Sequence, residues 1–264
     1  MTTLADYYEM LLMYDWLGET DQFICGTEYE IESVQDVTIP GYIGLTEDVR
    51  WYGDIGAMAD HSLRNNGIEF VTRPVSFDRA LTLFKELRKQ VHLGENPYSH
   101  RTSTHVHVNV ASMTLEQLKH FVLLYAITEP VFFDFAGDKR KHNIHCVPLQ
   151  HTIMPIHYKK ETQVLVDGGT WSKYTAFNLL PVTKQGTVEF RHLGGTGDFG
   201  VYQAWLTKIK QLWQFAMNAP TNQLETYLNA GLNGCHVANQ IFGGTHLPQE
   251  EFYQSTIDVK LAFV

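Results

Sequence analysis

What this chain has little of narrows its function before any motif is read. Its three cysteines, Cys25, Cys146 and Cys235, are scattered without metal-type spacing. An odd count with no framework points to reduced thiols and a cytoplasmic setting. Basic charge is also scarce: 20 Lys and Arg stand against 29 Asp and Glu, a formal net charge of −9. That balance argues against electrostatic capture of nucleic acid as the main activity. No apolar run reaches membrane-spanning length. The first 16 residues carry Asp6, Glu9 and Asp15 without a basic n-region, so no signal peptide is read there. A G-x-x-x-x-G-K-[ST] loop is missing, so any nucleotide is expected to be held through metals. Repeats, low-complexity tracts and an interdomain linker are missing too. The 264 residues, 44% hydrophobic and 19% charged, are therefore expected to form one globular domain, 1–264.

What is present centres on Gly26-Thr27-Glu28-Tyr29-Glu30-Ile31-Glu32. A strand sends alternate side chains to opposite faces, so Glu28, Glu30 and Glu32 share one face and Tyr29 and Ile31 the other. A row of carboxylates repels itself unless solvent or cations neutralise it. It reads either as a solvated outer face or as a wall of oxygen ligands for Mg²⁺.

Leu4, Tyr7, Leu11 and Trp16 recur at helical spacing, predicting a helix over 3–17 that feeds this strand. Pro40, Gly41, Gly44, Gly53 and Gly56 predict a turn-rich connection over 36–56. Asp60-His61-Ser62-Leu63, an Asn65-Asn66-Gly67 turn and Ile68–Thr72 read as a hairpin, with Glu69 opposite Ile68 and Phe70. An amphipathic helix follows over 77–92. Thr104–Val110 alternates without a break, placing His105, His107 and Asn109 on one face. Thr114 and Gln117 resemble a capping box opening a helix over 115–128. Residues 137–169 hold Lys139-Arg140-Lys141, Lys159-Lys160 and four histidines without a period, and read as a binding loop or lid, or merely an exposed connection. Strands are predicted over 171–180, with Lys173 and Asn178, and over 186–192, with Glu189 and Arg191 together and His192 opposite. A helix over 198–218 and a helical tail over 220–264 complete the chain.

These strands each set a polar face against an apolar one. The fold expected is α+β, an antiparallel sheet with helices packed on one side and an open functional face on the other. Singly, each polar residue has an ordinary explanation: an exposed Glu69, a chance His105/His107 alternation, a Glu189–Arg191 ion pair. Together, charged groups on one face are costly unless ions compensate them. Carboxylates with imidazole and an arginine, and no cysteine, suit Mg²⁺ or Mn²⁺ handling phosphate.

With these residues in hand, the chain resembles the amidoligase family, part of the glutamine synthetase-like carboxylate–amine ligases that include the γ-glutamylcysteine ligases. The matching pieces are G-T-E-Y-E at 26–30, D-H-S-L at 60–63 leading to I-E-F-V-T-R-P at 68–74, H-V-H-V at 105–108, K-Y-T-A-F-N-L at 173–179 and T-V-E-F-R-H-L-G-G-T at 187–196. The resemblance implies a curved antiparallel sheet binding ATP and Mg²⁺ (or Mn²⁺). It also implies an enzyme that phosphorylates a carboxylate and passes the acyl phosphate to an amine. Carried over by motif, Glu28, Glu30, Asp60, Glu69, one of His105 and His107, and Glu189 would hold metal, and Arg191 would contact the transferred phosphate. Lys173 and Asn178 would contact nucleotide or substrate. Where the family pattern often has arginine this chain has Lys173, a point charge in place of a bidentate fork. Glu32 has no counterpart in any of these motifs and is expected on a solvated rim. The substrates implied are a small-molecule or peptide carboxylate and an amine. Two other readings stay open at this point: a metal-dependent hydrolase or oxygenase built on the His105/His107 strand, and a non-catalytic binding module.

Overall fold

The computed structural model describes residues 2–7, 14–149, 173–218 and 234–252. The architecture is mixed α+β, with an open, mostly antiparallel sheet. The chain divides into two compact units. A sheet unit comprises Gln22–Val108 and Phe190–Leu206, and a helical unit comprises Met1–Asp21, Asn109–Glu189 and Thr207–Val264.

In chain order the strands are β1 (Ile24–Ile31), β2 (Val34–Val37), β3 (Arg50–Tyr52), β4 (Ile55–Ala59), β5 (Ile68–Thr72), β6 (Val75–Ser76), β7 (Val91–Leu93), β8 (Thr104–Asn109), β9 (Phe177–Asn178) and β10 (Thr187–Phe190). The helices are α1 (Leu4–Tyr7), α2 (Phe77–Gln90), α3 (Leu115–Ala136), α4 (Asp138–Lys141), α5 (Val182–Gln185), α6 (Phe199–Asn218) and α7 (Gly234–Phe242). Among the described residues, no helix is long and apolar enough to cross a membrane.

In the sheet unit the strand order is β3-β4-β5-β1-β8, with each neighbouring pair antiparallel. β6 also pairs with β1, and β2 with β7 forms a separate ribbon. The alternation of β1 is realised as burial: Thr27, Tyr29 and Ile31 are buried, while Gly26, Glu28 and Glu30 are partly accessible. On the buried side the Tyr29 ring meets Phe84 of α2 and Tyr202 of α6, each at 5.7 Å, and Phe84 stacks on Tyr202 at 4.5 Å. The Thr27 hydroxyl lies 2.9 Å from the Tyr202 phenol. Aromatic side chains buried in this way contribute about 1.5–3 kcal/mol each. α2 starts where Ser76 Oγ accepts from the Arg79 amide, and buries Ala80, Leu81, Leu83, Phe84 and Leu87 at helical spacing.

The stretch 36–56 is more ordered than its glycines predict. Gly53, at φ +70°, turns β3 into β4. Gly56 lies inside β4 because a Cβ there would come within 2.9 Å of the Val71 side chain. That glycine marks close strand packing, not a turn. β4 and β5 form the expected hairpin across 60–67, with Asn65 and Asn66 both in the left-handed region at φ +51° and +57°. Asparagine tolerates that conformation better than most residues.

In the helical unit, α3 opens with the full capping box of Thr114 and Gln117. It runs to Ala136, past the expected end at Thr128, with Pro130 inside it. An internal proline costs roughly 3 kcal/mol, here offset by burial of Val131, Phe132 and Phe133. Tyr125 of α3 stacks on Phe177 of β9 at 4.2 Å. Asn109 leaves the polar row expected for it: its side-chain amide donates to the Leu17 carbonyl at 2.8 Å, and its backbone carbonyl accepts from the Trp213 indole N–H at 3.1 Å.

Of the strand predicted over 171–180, residues 171–172 lie outside the described residues and the rest is extended only at Phe177–Asn178; it stops there because Asn178 Oδ1 accepts from Leu180 N and Pro181 cannot donate to a ladder. The helix predicted over 3–17 is helical at Leu4–Tyr7 and a 3₁₀ turn at Asp15–Gly18. Residues 8–13 lie outside the described residues, as do 150–172, 219–233 and 253–264. Lys159, Lys160, His151 and His157 of the expected lid fall there. Of its basic run, Arg140 is buried and not solvated.

Candidate metal centre

The accessible face of the sheet unit is built by register. In the β1–β8 pair Glu28 stands opposite His105 and Gly26 opposite His107. In the β1–β5 pair Glu30 stands opposite Glu69. His107 faces a residue with no side chain, and its ring reaches diagonally to Glu28. The result is a carboxylate held from two directions: His105 Nδ1 lies 3.1 Å from Glu28 Oε2, and His107 Nε2 lies 3.1 Å from Oε1. With Glu28 ionised, those two ring nitrogens carry the protons, an assignment set by the bonding pattern. His105 is buried.

Burial works against the charged form of Glu28, yet the His107 and His105 imidazoles outweigh it and hold the carboxyl well below the usual carboxylate range. Its neighbours are displaced the other way. Burial, aided by Asp60 and Glu28, raises Glu30 against the pull of His105 and a hydrogen bond from Ser103. Burial and then the charges of Glu28, Glu30 and Asp60 push Glu69 up to about 8. Like charges directly opposite across two strands are destabilising, and a proton on one of the two carboxyls would relieve them. A divalent cation would relieve them better. The donors are hard carboxylate oxygens with imidazole and no thiolate, a set that fits Mg²⁺ or Mn²⁺.

Six of the residues expected to hold metal, Glu28, Glu30, Asp60, Glu69, His105 and His107, thus belong to one unit and act on one another there. Asp60 does so from the segment after β4, where its carboxylate also accepts from the Ser62 amide and hydroxyl at 2.8 and 2.9 Å. The seventh, Glu189, lies in the helical unit, buried, and accepts from Asn178 Nδ2 at 2.8 Å. Arg191 follows the end of β10 in the sheet unit and is partly buried. Lys173 is exposed, its ammonium 5.0 Å from the Tyr174 ring centroid. His192 is buried beside Trp205, 5.5 Å between centroids, as alternation predicts for the side opposite Arg191.

At two residues the structure departs from, or adds to, what the sequence motifs imply. Ser103, which hydrogen-bonds to Glu30, belongs to none of the motifs, although carrying the His105/His107 alternation one step upstream reaches it. Glu32 is not on a solvated rim: it is buried, 3% exposed, and Oε1 accepts from the Arg64 amide at 3.0 Å. The cause is that β1 ends at Ile31 and Ser33 turns the chain at φ +55°, so the row of carboxylates stops at Glu30.

Residues 9–213 match a family model described as "Putative amidoligase enzyme". That match covers well over half of the chain. No curated protein matches it.

Proposed function

This chain belongs to the amidoligase family, and on that premise we propose that it is an ATP-dependent carboxylate–amine ligase that works with Mg²⁺ or Mn²⁺ through an acyl phosphate. The observation that carries the reading is the Glu30–Glu69 pairing beside Glu28, a cluster of acids whose own repulsion is relieved by protonation and whose donor set suits a hard cation. Glu28, Glu30, Asp60 and Glu69 would hold the metal, with one of His105 and His107. The metal would supply countercharge to the triphosphate and to the charge that develops during transfer.

The chain's own groups then have defined tasks. The imidazoles orient Glu28 by holding both of its oxygens. Arg191 would bind the phosphoryl group as the substrate carboxylate oxygen bonds to the γ-phosphorus and the bond to ADP breaks. The amine then attacks the acyl carbon, phosphate leaves with the former carboxylate oxygen, and the amine gives up a proton. The roles of Glu189, Asn178 and Lys173 rest on the sequence motifs, Glu189 as a further ligand and the other two as nucleotide or substrate contacts.

Thermal-shift titration tests the reading. ATP is expected to raise the melting temperature only when Mg²⁺ is present, and Glu28→Gln is expected to abolish the shift. A shift with Fe²⁺ or Zn²⁺ and none with Mg·ATP would sink the ligase reading and favour a hydrolase or oxygenase. A screen of amines and amino acids for ADP release would then identify the substrates.

A further inference from the structure

We propose that Glu32 is a positioning residue, one that fixes the Asp60 segment against the Glu30–Glu69 pair without binding a cation itself; the proposal rests on the cation-site reading above.

Sequence parity places Glu32 with Glu28 and Glu30, but its carboxylate has another use. Residues 60–67 connect β4 to β5, and Asp60 is the first of them. The segment is tied down at four points, one of them the exposed His61–Glu47 pair at 3.1 Å. Asp60 accepts from the Ser62 amide and hydroxyl. Arg101 Nη1 donates to the Ser62 carbonyl at 3.2 Å. The Arg64 amide donates to Glu32 Oε1 at 3.0 Å. Of these ties, only the last runs to a side chain that is itself buried, directly after the end of β1. Glu32 is in turn held by its own amide, which donates to the Pro97 carbonyl at 2.9 Å.

The segment has little slack elsewhere. Asn65 and Asn66 hold left-handed conformations, and a Cβ on Gly67 would strike the Leu63 side chain. The Leu63 amide also donates to the Asp60 carbonyl at 3.2 Å, so a displacement at Arg64 is passed back to Asp60. Asp60 acts electrostatically on both Glu30 and Glu69, so its placement bears directly on the cation ligands. Groups that orient metal ligands from outside the coordination shell typically cost about 10–100-fold in affinity when removed.

Substitution separates an acceptor from a ligand. An amide oxygen still accepts from the Arg64 N–H, whereas a neutral amide is a poor replacement for a cation-binding carboxylate. The experiment uses the full chain, with Mn²⁺ as probe by calorimetry, and hydrogen exchange of the 60–67 amides without metal. Glu32→Gln is expected to keep both the wild-type Mn²⁺ affinity and the exchange protection. Glu32→Ala is expected to weaken Mn²⁺ by roughly 10-fold and to speed exchange in 60–67. In an Asp60→Ala background, Glu32→Ala is expected to add little, because both changes remove one contribution.

The proposal is overturned if Glu32→Gln loses Mn²⁺ as fully as Glu28→Gln does, which would make Glu32 a ligand. It is also overturned if Glu32→Ala leaves affinity or exchange unchanged, or if its effect adds in full to that of Asp60→Ala. Absence of Mn²⁺ binding by the wild type is a separate result. It would overturn the cation-site reading, and with it the functional part of this proposal, while the exchange data would still report on the anchor.

Discussion

Glu129 of the helical unit and the Glu30–Glu69 pair of the sheet unit are all acids withdrawn from solvent to some degree, but their surroundings differ. Glu129 is 3% exposed, and its Oε1 accepts from the Tyr125 phenol at 2.7 Å and from the Leu149 amide at 2.6 Å. Burial, and then Glu129 itself, raise the Tyr125 phenol well above its ordinary range, which keeps it a donor. Around Glu30 and Glu69 the nearest charged groups are mostly further acids. A carboxylate supplied with donors is a structural fixture. One set among other acids carries a repulsion that a proton or a cation can relieve.

Three experiments would break or sharpen that contrast. The largest effect is expected from Glu30→Gln. ADP release in the presence of its substrates should fall on the order of 100-fold or more, as for loss of several kcal/mol of charge stabilisation. The melting temperature of the metal-free protein should not fall, since a repulsion has been removed. A marked loss of metal-free stability would place Glu30 with Glu129 as a fixture.

Glu129→Leu should behave in the opposite way. Removing an acceptor shared by two buried donors costs roughly 1–3 kcal/mol for each, measurable as a lower urea midpoint, with Mn²⁺ affinity unchanged. Mn²⁺ affinity that fell with Glu129→Leu would erase the distinction.

The third effect is smaller and depends on pH. Glu69 has a folded-state pKa of about 8 against an ordinary 4.5. A carboxyl raised in this way favours folding below the unfolded pKa, and that contribution is lost as pH rises through the folded one. Metal-free protein in chelator should therefore lose stability as pH rises from about 4.5 to about 8 and level off above that. Glu28, whose pKa is depressed, contributes in the opposite sense, but its change falls at lower pH. Glu69→Gln should flatten the slope, and so should saturating Mg²⁺, whose binding displaces the proton. A slope that persisted in Glu69→Gln would assign it to other groups.

Much of this contrast could be read from the sequence where a short period coincided with distinct chemistry on its two phases. Glu28/Glu30 against Tyr29, and His105/His107 against Val106, give the face and its backing directly. The capping box at Thr114 and the start of α2 are equally local signals. What escaped was decided by contacts distant in sequence. Parity assigns Glu32 to the open face, but the turn at Ser33 and the Arg64 amide withdraw it. Pro130 argues for a helix end that the burial of Val131–Phe133 overrides. β3 and β4 hide among glycines, one of which makes room for Val71. The family motifs carry Glu189 and Asn178 into a single set, and their hydrogen bond joins residues from two different motifs.

The central place of β1 in the sheet unit has a further consequence. It pairs with β5 on one edge and β8 on the other, so its phase is fixed twice. A slip of one residue would turn Tyr29 and Ile31 outward and drive Glu28 and Glu30 into the space now filled by Phe84 and Tyr202. The two-residue interval between those acids and the packing of the ring between them are therefore a single constraint. A chain that assembles this hydrophobic core in the right phase has already spaced these two carboxylates.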